Sequence, residues 1–356
     1  MKTLVRFLIL GVVSLLALIS CDVHEFPKDH SQRVPFLLHL DFDTEMPFYK
    51  EITYIRNGVS KTVGVEADHD LRYTVKVYRN DNVRSGNRVS DTTFIFTKSD
   101  LSDLSYVAEL MLPEGEYYFQ VWTDYVDHGS YRDLYYNTSD FSEIILADRE
   151  HHSGSNHYRD AFRGYATATV INPSYYTGEV LHTVENQAHV EMRRPMGKYK
   201  FVSTDVEAFL ARVVQMIQES GSQESNEEIL QNINLSDFKV VFRYNLFMPC
   251  SFNMFTDKPA DSWTGVNFES QMYIESENEM TLGYDYIFVN GSETTLSISL
   301  EVYYKDGRLM SATNPIDVPI VRSKMTLVKG EFLTSEASEG VNISPDFDGE
   351  FNLEIH

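Results

Sequence analysis

The chain is poor in cysteine and in basic residues, and it lacks the familiar catalytic motifs. Its 356 residues include two cysteines, Cys21 and Cys250, which rules out a scaffold held together by several disulfides. Thirty basic residues stand against 53 acidic ones, and a net charge of -23 disfavours nucleic acid as a partner. The sequence has no His-Glu-x-x-His, Gly-x-Ser-x-Gly, P-loop or dinucleotide-binding motif. We therefore expect no enzymatic activity, catalytic residue, metal or cofactor.

An apolar run opens the chain. It extends from Phe7 to Ile19, follows Lys2 and Arg6, and ends in Leu-Ile-Ser before Cys21. A basic start, a short apolar segment and small residues before the cleavage point are typical of a secretory signal peptide. The run is short for a membrane span. The sequence Leu-Ile-Ser-Cys at 18–21 resembles a bacterial lipobox, which predicts that residues 1–20 are a lipoprotein signal peptide. The mature chain would then begin at Cys21 with acyl chains such as palmitate, and its formal charge would be two units more negative. The alternative is an ordinary signal followed by a cysteine of the folded core.

The alternation of apolar and polar residues predicts an all-β protein. Residues 21–33 are polar and suit a tether, and the length suits two β-sandwich domains, 34–192 and 193–356, with a boundary near 191–198. The predicted strands are 34–42, 73–78, 93–97, 106–112, 117–126, 141–146, 166–171, 180–192, 239–247, 271–274, 284–289, 295–304, 325–329 and 351–355. Residues 106–126 are predicted to form a hairpin around the turn 113–116. Residues 127–164 are predicted to form long surface loops, apart from the periodic run at 141–146.

A helical excursion interrupts the second domain. Apolar residues recur at three- and four-residue spacing from Val206 to Ile217, and Gly221 ends the pattern. Thr204 and Glu207 have the spacing of a capping box. Cys250 lies in an apolar stretch, where a buried thiol is the simpler interpretation.

Three groups of loop residues are candidate ligand sites, although solvated loop side chains explain the first two equally well or better. Imidazoles and carboxylates could bind a metal, and a set of acids could bind calcium, but it lacks EF-hand spacing. Tyrosines could stack on sugars, which keeps a glycan-binding surface lipoprotein as the alternative function. The groups are His151, His152, His157 and Asp160; Asp124, Asp127, Asp133 and Asp140; and Tyr131, Tyr135, Tyr136, Tyr158, Tyr175 and Tyr176.

Several motifs together resemble the fimbrillin-like lipoproteins of Bacteroidetes, the subunits of type V pili. They are Ser-Cys-Asp-Val-His-Glu-Phe-Pro at 20–27, Leu-Pro-Glu-Gly-Glu-Tyr-Tyr-Phe-Gln-Val-Trp-Thr-Asp-Tyr at 112–125, Arg-Pro-Met-Gly-Lys-Tyr at 194–199, Val-Lys-Gly-Glu-Phe-Leu-Thr at 328–334, Gly-Val-Asn-Ile at 340–343 and Phe-Asp-Gly at 347–349. The resemblance implies two transthyretin-like sandwiches, a lipid anchor in the outer membrane, and a place in a surface fimbria as a stalk, tip or anchor subunit. Its implied partners are other fimbrial subunits, with a host glycan or protein as receptor.

The resemblance also implies how such subunits assemble. In polymerising members a protease cuts after a basic residue and removes the first strand, here 34–42, and a neighbour's strand fills the groove. The cut would fall at Arg56, Lys61 or Arg72, and an uncut chain would act as an anchor or accessory subunit. The terminal strand, with Phe351, Leu353 and Ile355, is the candidate donor to a neighbouring subunit.

Overall fold

The structure is a computed structural model. It describes residues 31–42, 69–84, 86, 88–175 and 186–336, together with the backbone of four further strands at 52–56, 59–63, 343–348 and 350–355. Strands dominate these residues, which confirms the all-β prediction. The strands of the first half are β1 (Arg33–Phe42), β2 (Ile52–Arg56), β3 (Val59–Val63), β4 (His69–Arg79), β5 (Thr92–Lys98), β6 (Tyr106–Pro113), β7 (Gly115–Asp127), β8 (Tyr136–Asn137), β9 (Ile144–Leu146), β10 (Phe162–Val170) and β11 (Gln187–Met192).

Two sheets of the first half enclose one apolar core, the first sandwich. The first sheet has the order β11-β1-β6, and the second has the order β10-β7-β4-β5. Phe36, Leu38 and Leu40 of β1 alternate with more exposed residues and are almost fully buried between the sheets. β1 is the central strand of its sheet, antiparallel to β6 and parallel to β11. The predicted strand 34–42 therefore forms part of the core.

The second half forms a second sandwich. Its strands are β12 (Met196–Ser203), β13 (Phe238–Tyr244), β14 (Met248–Pro249), β15 (Ser251–Asn253), β16 (Lys258–Pro259), β17 (Ser262–Trp263), β18 (Asn267–Ser270), β19 (Tyr273–Ile274), β20 (Met280–Phe288), β21 (Glu293–Tyr304), β22 (Leu309–Ala312), β23 (Ile316–Val321), β24 (Met325–Gly330), β25 (Ile343–Asp348) and β26 (Glu350–Ile355). One sheet has the order β19-β20-β12-β24-β26-β25. The other has the order β18-β13-β21-β22, with β23 also paired to β21. The predicted boundary near 191–198 falls between β11 and β12.

Helices occupy little of the described chain: α1 (Asn80–Arg84), α2 (Val206–Glu219) and α3 (Asn226–Asn232). α2 confirms the predicted helix, but the predicted capping box does not form, because the helix begins after Asp205 and that carboxylate binds other groups. A capping box forms instead at α3, between Ser225 and Glu228. The sequence pattern predicted neither α3 nor α1.

The predicted hairpin is wrong. β6 pairs with β1, whereas β7 pairs with β4 and β10 in the opposite sheet, so the turn at Gly115 is a corner between sheets. The alternation predicted for β7 nevertheless holds. Phe119 and Val121 face the first core, while Trp122 packs into the second core. β7 is buried on both faces because the second half of the chain covers its outer face.

Residues 128–161, here named the strap, are also not the surface loops that the sequence predicted. The strap leaves β7, contributes Tyr136, Phe141 and Ile144 to the second core, and returns at β10. β9 of the strap pairs with β15 of the second half. The strap therefore packs the first half of the chain against the second.

Candidate assembly surface

β5 and β6 are edge strands on the same side of the first sandwich. Within the described ranges, β6 pairs with β1 alone and β5 pairs with β4 alone. The two strands belong to opposite sheets, yet the rings of Phe96 on β5 and Tyr106 on β6 have centroids 5.5 Å apart. The two edges therefore lie along one seam, which we name the β5–β6 seam.

The hydrogen-bonding pattern shows which backbone groups of β6 face outward. The N–H of Leu37 donates to the carbonyl of Asn186, 2.8 Å away. The backbone N–H and C=O of Leu37 therefore point toward β11 and away from β6. In an antiparallel pair of strands, residue pairs that exchange backbone hydrogen bonds alternate with pairs whose N–H and C=O groups point away from each other. The residue opposite Leu37 is Glu109. Val107, Glu109 and Met111 consequently direct their backbone N–H and C=O groups away from β1, where the Met111 carbonyl accepts a hydrogen bond of 3.4 Å from the Arg33 guanidinium.

The side chains at this edge are unusually apolar for an exposed strand. Val107 is 52% exposed, Met111 is 42% exposed, and Leu37 on the adjoining strand is 38% exposed. Glu109 is the one charged residue of β6. Natural edge strands are usually protected from pairing by lysines, prolines, bulges or short length. β6 is eight residues long and has a proline only at its end, so most of its length is open to a further strand.

β5 is similarly unprotected. Its sequence is Thr-Thr-Phe-Ile-Phe-Thr-Lys, with Ile95 43% exposed and Lys98 as its one charge. Lys98 closes one end of the seam, because its Nζ donates to the carbonyls of Asp103 (2.5 Å) and Ser105 (3.1 Å) in the β5–β6 connection. Phe94 and Phe96 lie only partly buried along the seam. The seam therefore offers both unpaired backbone groups and partly exposed rings to an added strand.

The three predicted cleavage residues lie in different settings. Arg72 is in β4, 2% exposed, and its guanidinium pairs with Asp124 at 2.7 Å and Asp133 at 2.8 Å. Cleavage there would require β4 to unfold, because a protease needs an extended, accessible segment, so the structure argues against Arg72. Arg56 lies in β2 opposite Val59, and Lys61 lies in β3 opposite Tyr54. The side chains of Arg56 and Lys61 lie outside the described residues.

The candidate donor strand is part of its own sheet. Phe351, Leu353 and Ile355 lie in β26, opposite Thr326, Val328 and Gly330 of the parallel strand β24. Donation of this strand to a neighbour would first require it to leave β24. Cys21 lies outside the described residues, as do the signal peptide and all of the tether except its last residues.

The candidate metal sites do not assemble. His152 is buried against Asp285, the His157 ring packs at a tilt against the Tyr284 ring, and Asp160 pairs with Arg194. Among the acids, Asp124 and Asp133 both bind Arg72. In the described part of the chain, no group of three or more histidines, cysteines or acids is arranged to hold a metal ion.

The loop tyrosines form no common platform. Tyr131 is 59% exposed, whereas Tyr136 is fully buried and Tyr158 stacks on His69 with centroids 3.7 Å apart. Tyr135 also packs against the second core, Tyr175 lies in a short 3-10 turn, and Tyr176 is outside the described residues. Cys250 is buried as a free thiol, as the sequence predicted, and burial raises its pKa to about 12.

Comparison with known proteins gives a family and several similar structures. Residues 31–356 match the family described as a family of unknown function, DUF6562. The chain belongs to this family. No curated protein matches the chain. None of the helices in the described ranges is long and apolar enough to cross a membrane.

Solved structures similar to this chain come from Bacteroidetes. One is provisionally described as a cell adhesion protein of Bacteroides eggerthii (10% identity, 92% of this chain and 97% of that one, TM-score 0.41). Another is provisionally described as an adhesin of Bacteroides thetaiotaomicron (14% identity, 78% and 79%, TM-score 0.40). A third is the fimbrial anchor protein Mfa2 of Porphyromonas gingivalis (10% identity, 79% and 82%, TM-score 0.36).

Proposed function

We propose that this protein is a surface-anchored adhesion or fimbrial subunit that acts as an anchor or accessory subunit and performs no catalysis. Acyl chains on Cys21 would hold it on the outer membrane, and an extended segment of a neighbouring subunit would add to the β5–β6 seam. The observation that carries the assembly step is the long, apolar edge of β6, which no strand of the described ranges covers. A bound strand would satisfy the outward backbone groups and cover the exposed apolar side chains.

The position of β1 supports an uncut subunit. Its inward side chains are almost fully buried, and the strand bonds neighbours on both sides. Removing it would take Phe36, Leu38 and Leu40 away and leave a gap in the first core that a neighbour's strand would have to fill. Of the proposed cleavage points, Arg72 is buried. The proposal therefore favours a chain that keeps β1 and takes a partner at its edge.

The assembly step can be tested by substitutions to proline. Val107→Pro removes an N–H that faces the open edge of β6 and leaves the β1 ladder intact, so it should abolish incorporation into surface assemblies and leave the fold in place. Thr167→Pro is the matched control: Arg163 uses its backbone groups on Arg193 and not on β7, and by alternation the Thr167 N–H also points away from β7, at the edge of the other sheet. Equilibrium unfolding first verifies that both variants fold. Each variant is then expressed in the native bacterium from which the gene for this protein has been deleted, and the amount of the variant in high-mass surface assemblies is measured. Normal incorporation of Val107→Pro would remove β6 as the assembly edge.

The anchor role is tested separately by N-terminal analysis of the surface form. Mass spectrometry should find an acylated Cys21 as the first residue. A chain that begins after Arg56 or Lys61 would instead be a processed polymer subunit. An unmodified, freely secreted chain would contradict the lipid anchor.

A further inference from the structure

The two sandwiches are joined in series by a short and firmly held connection. Residues 193–195 link β11 to β12, and the backbone groups of Arg193 exchange two hydrogen bonds of 2.9 Å with those of Arg163. The buried guanidinium of Arg194 donates to both oxygens of Asp160, with Nε and Nη2 each 2.8 Å from an oxygen. These bonds would keep the connection from extending, so tension along β11 would be transmitted directly to β12.

In the first sandwich, the strand where the chain enters runs beside the strand where it leaves. β1 and β11 are parallel and in register over six residue pairs, from Leu37 opposite Gln187 to Phe42 opposite Met192. A pull on the start of β1 and an opposite pull on the end of β11 act along the strands in opposite directions. Since the hydrogen bonds run between the strands, such a pull shears the whole ladder, and the bonds share the load.

The second sandwich repeats this arrangement. The chain enters at β12, which is parallel to β24 over six residue pairs, and β24 is parallel to the last strand, β26, over five. A pull on the start of β12 against the end of β26 therefore also acts along parallel strands. In both sandwiches the entering strand is bonded on both of its sides.

We propose that both sandwiches are mechanical clamps, built to carry tension applied between the two ends of the chain. The proposed function supplies the source of that tension, since a protein held on a membrane at one end and bound to a partner is pulled by flow or by the partner's movement. The clamp itself is a property of the isolated chain. Its test therefore does not depend on whether a lipid anchor or a fimbrial partner exists.

The test is single-molecule force spectroscopy in two pulling directions. With a handle at each end of the chain, tension shears the parallel ladders. With handles on cysteines introduced by Ser31→Cys and Glu116→Cys, in a Cys21→Ser, Cys250→Ala background, tension opens the antiparallel β1–β6 pair one residue pair at a time, starting at Arg33 and Pro113. The end-to-end direction should require a clearly higher force for first unfolding. An equal or lower force would overturn the proposal.

A pair of variants tests whether the β1–β11 ladder carries the load. The ladder bond from Leu37 to Asn186 implies that the N–H of Ala188 donates back to β1. Ala188→Pro removes one ladder bond, which is worth about 1 kcal/mol, and should raise the unfolding rate under end-to-end tension about fivefold. Thr167→Pro removes an N–H that points away from β7 and no β1–β11 bond, so it should change that rate by less than about twofold. Equal rates for the two variants would contradict the proposed clamp in the first sandwich.

Discussion

His152 and Asp285 are 133 residues apart in the sequence, and their side chains form a buried pair, with Nε2 2.6 Å from Oδ2. Arg159 also contacts Asp285, and the hydroxyl of Tyr244 donates to it at 2.5 Å. Burial alone would raise the pKa of Asp285, but Arg159 and His152 hold it below its usual value. His152 and Arg159 belong to the strap, so this pair ties the strap to β20 of the second sandwich.

Asp285→Asn should strongly destabilise the protein. The substitution leaves the Arg159 guanidinium buried without its counter-charge, and breaking a buried ion pair costs about 3–5 kcal/mol. Equilibrium unfolding in urea measures the loss. Glu269→Gln is the control, because Glu269 pairs with Lys239 in solvent and its loss should cost less than about 1 kcal/mol. A similar small loss for both variants would show that the strap is not held by Asp285.

Stability should fall as the pH drops below the usual histidine pKa. Burial and the nearby Arg159 charge lower the pKa of His152 from its ordinary 6.5, so the unfolded chain takes up the proton first. The stabilising contribution is therefore fully present above about pH 6.5 and is lost below it, by up to about 1.4 kcal/mol per pH unit for one histidine. Urea unfolding between pH 7 and 5 measures this slope.

His152→Gln should reduce that slope, since glutamine still offers Asp285 a donor but takes no proton. Some slope should remain, because burial lowers the pKa of His157 to about 3 as well. His151→Gln is the neighbouring control, in which an exposed side chain is replaced. An unchanged slope in His152→Gln would remove His152 as its source.

Asp205→Ala should destabilise the start of α2. The Asp205 carboxylate accepts hydrogen bonds from Ser203 Oγ (2.5 Å), Thr334 Oγ1 (2.7 Å) and the Thr334 N–H (2.8 Å), which ties α2 to the segment after β24. Hydrogen bonds to a charged group are worth about 1.5–3 kcal/mol, and the unfolding free energy should fall by at least that amount. Thr204→Ala, at the exposed residue that the sequence predicted as the cap, should cost less than about 0.5 kcal/mol. A larger loss of unfolding free energy for Thr204→Ala than for Asp205→Ala would restore Thr204 as the cap of the helix.

Thiol labelling tests both cysteines in one measurement. The buried Cys250 thiol, with its pKa raised to about 12, should not react with an alkylating reagent in the native protein. After denaturation, the mature surface form should take up one equivalent, because acylation would block the Cys21 thiol. Two equivalents would contradict acylation at Cys21, and rapid native labelling would contradict the burial of Cys250.

The sequence by itself determined the local conformation of most strands and the position of α2. Alternation along β1 and the three- and four-residue spacing from Val206 to Ile217 specify which side chains share a face, and burying that face fixes strand or helix. The apolar surroundings of Cys250 likewise predicted its burial. The lipid anchor at Cys21 stays a prediction from the sequence alone.

Only the tertiary structure decided which strands pair and which core a residue enters. β6 and β7 looked like a hairpin because both are apolar and a turn separates them, but their backbone bonds go to β1 and to β4 and β10. The strap looked polar, yet its few apolar residues pack into the second core, and its His152 pairs with Asp285 of β20. Alternation along a strand shows which side chains share a face, but it does not show which other strand will pair with it. Pairing is fixed only when distant segments compete for the same backbone groups and the same buried space.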